Sequence, residues 1–187
     1  MHPKEFRHQK CTTGRLTALN LARCEIIPGV RFEDNPRVRG LIDDPGNHAV
    51  LLYPGKDALS LRGGGLPAET LGDRTLVVFL VDATWHCARG MVRENPFLQR
   101  LPRISIQPGA PSRYTIKRQP APWCLSTIEA THELLLALED AGLDVYPDKS
   151  RLLQSFNAMQ DFQVHQMARA AARFPHHVRG TREALVE

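Results

Sequence analysis

Thr75-Leu76-Val77-Val78-Phe79-Leu80-Val81-Asp82-Ala83-Thr84-Trp85 is the stretch from which the fold is read. From Leu76 to Val81 it is apolar at every position, rich in Val and Leu, and of strand length, so both faces of the strand are buried. A strand covered on both faces belongs to a parallel sheet with helices on either side. The run stops at Asp82, and a helical segment follows through Asn95. Upstream, residues 48–53 form a second apolar run that closes in Tyr53-Pro54-Gly55-Lys56-Asp57. Both loops therefore follow strand C-termini, the edge at which open α/β sheets bind ligands. The expected fold is α/β, a mainly parallel sheet flanked by helices, in a single domain over residues 1–187.

Working outward, residues 16–21 and 25–32 read as short strands, and Asp34-Asn35-Pro36 as a helix start that leads to Ile42. Asp44-Pro45-Gly46-Asn47 reads as a turn. Residues 103–107 and 114–118 read as further strands separated by Pro108-Gly109-Ala110-Pro111-Ser112. Ser126-Thr127-Ile128-Glu129 fits a capping box, opening a helix that Gly142 ends and whose Leu134, Leu135 and Leu138 face the core. Asp148 caps a last long helix in which Leu152, Phe156, Met159 and Met167 recur at helical spacing.

Hydrophobic residues at 42% and charged residues at 24% of the 187 fit a folded globular protein. A chain of this length buries roughly two-thirds of the surface it exposes when unfolded, so no disulfide or metal staple is required. Residues 76–81, the longest apolar run, are far short of the about 20 residues that span a bilayer, and residues 1–10 are too charged for a signal peptide; the expected location is cytoplasmic, with no membrane. Cys11, Cys24, Cys87 and Cys124 lie far apart with no CxxC pair, which suggests neither a disulfide framework nor a zinc site. The formal net charge is +4. Basic residues crowd residues 84–124 as Arg89, Arg93, Arg100, Arg103, Arg113, Lys117 and Arg118 against the lone acid Glu94, whereas residues 125–163 are mainly acidic. That segregation suits a phosphate-rich partner.

Two segments carry the chemistry. Asp82-Ala83-Thr84-Trp85 puts a carboxylate, a hydroxyl and an indole at a strand-to-helix junction, though spacing alone favours reading Asp82 or Thr84 as a helix cap and Trp85 as core packing. Leu125-Ser126-Thr127-Ile128-Glu129-Ala130 presents a helix N-terminus able to receive an anionic group such as a carboxylate.

The chain resembles the DTW-domain family, whose Asp-x-Thr-Trp signature looks like residues 82–85. The match continues in order through His2-Pro3-Lys4-Glu5, Thr13-Gly14-Arg15, Leu52-Tyr53-Pro54-Gly55, Ala88-Arg89, Asn95-Pro96, Ser112-x-Tyr114 and Leu125-Ser126-Thr127-x-Glu129-Ala130. Each block is weak alone; the ordered set is specific. The resemblance implies a tRNA-uridine aminocarboxypropyltransferase, SPOUT-like in fold with a C-terminal trefoil knot. It implies an S-adenosylmethionine pocket built from Tyr53, Pro54 and Gly55, from Asp82, Thr84 and Trp85, and from Pro122, Leu125, Ser126 and Thr127. Family members commonly carry an N-terminal cysteine cluster that looks zinc-binding; this chain begins Met1-His2-Pro3 without it, and no metal is expected.

In the implied reaction, uridine N3 takes the 3-amino-3-carboxypropyl group and methylthioadenosine leaves. N3 carries a proton, so a base should speed transfer by roughly 10²–10⁴-fold, and Asp82 is the candidate. Arg89, Arg93, Arg113, Lys117 and Arg118 are the candidate tRNA-phosphate contacts. Three rivals stand beside this reading: a SPOUT-like methyltransferase using the same cofactor, a non-catalytic RNA-binding module, and a metal hydrolase drawing on His86, His132, His165, His176 and His177, with Glu129-x-x-His132 on one helical face.

Overall fold

The computed structural model describes residues 1–8, 11–61, 66–117 and 119–173. In chain order the elements are α1 (Pro3–His8), α2 (Thr13–Asn20), α3 (Pro36–Asp43), β1 (Asn47–Leu52), β2 (Leu59–Ser60), α4 (Ala68–Leu71), β3 (Thr75–Leu80), α5 (Trp85–Arg93), α6 (Pro96–Gln99), β4 (Arg103–Ser105), α7 (Thr127–Asp140) and α8 (Arg151–Arg173). The sheet is parallel throughout, in the order β2-β4-β1-β3. β1 and β3 pair from Asn47 opposite Thr75 to Leu52 opposite Leu80. The two apolar runs are thus adjacent strands and end side by side.

Alternation along the strands decides what each face meets. Val50, Ile104, Leu76 and Val78 pack with Leu134, Ala137 and Leu138 of α7. Phe79 and Val81 point the other way, into Val38 of α3, Met91 of α5, and Phe97 and Leu98 of α6. Helices thereby pack on both faces, and β3, at the edge of the sheet, is half-buried from Leu76 to Leu80 where the sequence predicts full burial. A third cluster joins Ile128 of α7 to Leu152, Phe156 and Met159 of α8. Each fully buried side chain of this kind contributes roughly 1.5–3 kcal/mol relative to exposure.

The caps follow the sequence. Asn35 Oδ1 accepts from the amides of Arg37 and Val38 at 3.1 and 3.0 Å, with Pro36 in the first turn of α3. Gly142 takes φ +68° just beyond α7, and Asp148 Oδ1 accepts from the Ser150 and Arg151 amides ahead of α8.

Three expected strands are corrected. Residues 16–21 lie in α2, because Thr12 Oγ1 accepts from the Arg15 amide and starts a helix; its buried face is the small set Thr13, Gly14 and Thr17, while Leu19 is 79% exposed. Residues 25–32 form no strand. Their backbone is met instead by Asn95, whose Oδ1 accepts from Phe32 N at 2.8 Å and whose Nδ2 donates to Val30 O at 2.7 Å, and by Met1, whose N donates to Ile27 O at 2.9 Å and whose O accepts from Gly29 N at 3.1 Å. Residues 114–117 are also irregular: Gln160 Oε1 of α8 accepts from Thr115 N and Oγ1 at 2.8 and 2.9 Å. Arg118 lies outside the described residues.

Candidate functional site

The ends of β1 and β3 and the start of α7 converge on a cavity of about 570 Å³. Of the residues expected to hold a ligand, Tyr53, Pro54, Asp82, Thr84, Trp85, Leu125, Ser126 and Thr127 line it together. They are gathered by topology: the parallel pairing puts Tyr53 and Asp82 at neighbouring strand ends, and α7 starts against both. Gly55 and Pro122 stand outside the lining. An added Cβ at Gly55 would meet Arg103 at 3.0 Å, and Pro122 O accepts from Ser112 N at 2.7 Å, which ties the loop ahead of α7 to the segment after β4.

Asp82 sits at the centre of this convergence. Its Oδ1 accepts from the Thr127 hydroxyl at 2.6 Å, across 45 residues of sequence, and its main-chain carbonyl accepts from His2 N at 2.9 Å. Oδ2 is enclosed with no hydrogen-bond partner among the described residues. A buried polar atom of this kind is costly unless something else meets it. Gly14 of α2 packs so closely on this carboxyl that no Cβ fits between them. Thr84 does cap α5, its Oγ1 accepting from Cys87 N at 3.4 Å, and it lines the cavity as well; Trp85, the first residue of α5, is half-buried in the wall.

The opposite wall is fixed by Glu129, which is buried. Its Oε2 accepts from the amide and hydroxyl of Ser126 at 2.9 and 2.6 Å and from the Ser112 hydroxyl at 2.9 Å, and its Oε1 accepts from Arg113 N at 2.6 Å. The capping box is present, but the same carboxylate also pins the chain 16 residues upstream. Tyr114 follows that anchor into the cavity, its ring edge-on to Phe156 at 5.2 Å. Burial, reinforced by the charges of Glu5, Cys11, Glu129 and Asp82, pushes its phenol up to about 12. Tyr53 is also raised by burial, with Arg89 and Arg103 opposing.

Sequence reasoning missed Glu5, Thr12, Thr13 and Tyr114 as lining residues. The blocks around residues 2–5, 13–15 and 112–114 were noticed in the sequence, yet nothing local says that they meet at residue 82.

The basic residues divide. Arg89 and Arg93, with His86 and Gly90, line a second cleft on α5, of about 310 Å³, and both are exposed. Lys117 lies on the main cavity, its Nζ 4.0 Å from Glu5 Oε2, and Arg113 is exposed beside Glu129's anchor. The histidines do not assemble: His132 Nδ1 faces Tyr146 Oη at 3.2 Å in the core, with burial holding its pKa down, and His165 is exposed on α8. His176 and His177 lie outside the described residues. Among the described residues no three His, Cys, Asp or Glu side chains gather around one point, and no helix is long and apolar enough to cross a membrane.

A parallel α/β sheet whose strand ends and helix start enclose a carboxylate-centred cavity defines a class of ligand-binding domain. The family model described as the DTW domain matches residues 1–164, and the chain belongs to that family. Among curated proteins it is similar to tRNA-uridine aminocarboxypropyltransferase 2 of Drosophila melanogaster, 32% identical over 142 residues that cover 74% of this chain and 54% of that protein. The proteins of the same name from Macaca fascicularis and Mus musculus are 26% and 27% identical over 89% of this chain and 54% of their own length. The chain thus spans about half the length of the curated relatives it matches. No solved structure matches it.

Proposed function

We propose that this chain carries the activity named for its relatives, transferring the 3-amino-3-carboxypropyl group of S-adenosylmethionine to N3 of a tRNA uridine. The observation that carries the reading is the cavity itself: the family's signature carboxylate, Asp82, sits in its wall with one oxygen unpartnered, beside the start of α7. The donor set suits the co-substrate. Glu5 and Asp82 face the cavity against the single ammonium of Lys117 among the described lining residues, a balance that favours a ligand with sulfonium and ammonium charges. Tyr53, Trp85 and Leu125 give the apolar walls that an adenosine and a thioether need.

Adenosylmethionine supplies an electrophilic carbon whose bond to sulfur breaks, the electron pair staying on the sulfur of the departing methylthioadenosine. The protein's part is to choose that carbon over the methyl by orientation. Thr84, Ser126 and the α7 start hold the aminocarboxypropyl arm, while Tyr53, Pro54 and Trp85 confine the rest. Gly55 and Pro122 shape the two loops from behind. Asp82 takes the N3 proton at its carboxyl, whose direction Thr127 fixes. Arg89, Arg93, Arg113 and Lys117 hold tRNA phosphates, a role the reading extends to Arg118, which lies outside the described residues.

The same reading takes residues 1–187 as one domain with the SPOUT-like arrangement and C-terminal trefoil knot. β4, the last strand among the described residues, lies between β1 and β2. Incubation of the protein with adenosylmethionine and unmodified tRNA, followed by mass spectrometry of nucleosides and small molecules, tests the function. Aminocarboxypropyluridine with methylthioadenosine is the expected pair. Methylated nucleoside with S-adenosylhomocysteine would replace the reading by a methyltransferase, and neither product with tRNA still bound would leave a binding module.

A further inference from the structure

Trp123 is 68% exposed, on the short turn that runs from Pro120 to the start of α7. Pro120 and Pro122 fix the backbone on either side of Ala121, directly ahead of Trp123. Cys124 N donates to Ala121 O at 2.9 Å, and Ser112 N donates to Pro122 O at 2.7 Å, so the turn is tied both to itself and to the chain after β4. The indole is therefore held out on a clamped loop, and it lines the cavity. Of the four Tyr and Trp side chains lining it, Tyr53, Trp85 and Tyr114 are at least half-covered; only Trp123 presents its ring to solvent. Trp123 thus offers a large flat apolar face at the cavity, where a planar ligand group can lie against it.

A second observation orients that partner. His86, Arg89 and Arg93 recur at helical spacing on one face of α5, all exposed, and line the second cleft. His86 lines the main cavity too, so a cleft suited to phosphate borders the opening that Trp123 edges. We infer that Trp123 is the stacking platform for a nucleobase of the RNA substrate at the cavity mouth, with the His86-Arg89-Arg93 face of α5 holding the adjoining phosphates. The inference rests on the RNA-transferase reading above and adds to it the residue that receives the base. An indole stacks on any base face, so Trp123 contributes affinity and placement rather than sequence choice. The target base leaves its neighbours in the RNA to enter the site, and stacking on Trp123 offsets that loss.

The test uses the full chain with Trp123→Ala and Trp123→Phe, a labelled single-stranded oligouridylate, an unmodified tRNA transcript, and methylthioadenosine as the pocket probe. Base–aromatic stacking worth about 1–3 kcal/mol predicts that Trp123→Ala weakens oligouridylate binding by roughly 5- to 150-fold, and that Trp123→Phe recovers most of it. Circular dichroism should not change, and methylthioadenosine affinity should fall far less than oligouridylate affinity, since Trp123 lines the same cavity. In the transferase assay the KM for tRNA should rise by a larger factor than kcat falls. Wild-type affinity for oligouridylate in Trp123→Ala overturns the inference, whatever the activity. If wild-type protein makes no product yet Trp123→Ala still loses RNA binding, the platform stands and the transferase reading falls. If wild-type protein is active and the variant's KM and RNA affinity are both unchanged, the platform falls alone.

Discussion

Glu129→Gln isolates the anchor that joins the start of α7 to the chain after β4. In the native site Oε2 takes three donors, from Ser112 and twice from Ser126, and Oε1 takes Arg113 N. A glutamine has one accepting oxygen. Its better orientation places that oxygen at the three donors and turns the amide NH₂ toward the Arg113 N–H, donor against donor; the reverse orientation loses three bonds to keep one. Even the better case forfeits a charge-assisted bond of about 1.5–3 kcal/mol and makes the remaining three neutral, hence roughly half as strong. Relief from burying a charge offsets part of the loss. The net expectation is a destabilisation of about 2–4 kcal/mol, at about 2–4 °C of melting temperature per kcal/mol for a chain of this size. Urea and thermal unfolding followed by circular dichroism measure it, with Ser112→Ala as a control that removes one donor and should cost about 1 kcal/mol. Methylthioadenosine binding should weaken as well, since Ser126 and Thr127 lose their fixed position. A Glu129→Gln protein within 0.5 kcal/mol of wild type, on the scale of surface substitutions, would refute the claim that this carboxylate holds the wall together.

Asp82→Asn keeps the shape of the signature side chain and removes its basicity, so adenosylmethionine and tRNA binding should stay within a few-fold of wild type while transfer slows by roughly 10²-fold or more; full activity would deny it the role of base, and partial rescue at high pH, where uridine ionises unaided, would support it. Gly14→Ala should abolish transfer and lower the melting temperature, because its Cβ would run into the Asp82 carboxyl and force that group off Thr127; a fully active, equally stable variant, assayed by methylthioadenosine release, would show that α2 gives way easily. Tyr53, Tyr114 and Tyr146, the three tyrosines of the chain, all have phenol pKa values raised chiefly by burial, Tyr114 to about 12. The native state then keeps protons that the unfolded chain releases near pH 10, so stability should fall from pH 10 toward 12; a phenolate absorbance titration with its native-state midpoint at or below 10 would contradict this.

The sequence by itself determined what depends on neighbours a few residues apart. Apolar runs identified β1 and β3 as parallel strands, Asn35, Ser126 and Asp148 marked helix starts, and Gly142 an end. Because both runs end in loops, the sheet edge carrying Tyr53 and Asp82 was legible too. Residues 16–21 and 25–32 misled because short mixed segments carry no decisive period: the Thr12 cap made the first mostly helix, and Asn95 and Met1, both distant in sequence, met the backbone of the second in place of a neighbouring strand. Only the tertiary structure decided the strand order, the closeness of Gly14 to Asp82, the bond from Thr127 to Asp82 and the reach of Glu129 to residues 112 and 113. Each joins groups far apart in the chain, and such pairings are set by how whole helices pack on the sheet, a balance of burial and chain entropy that no local window of sequence contains.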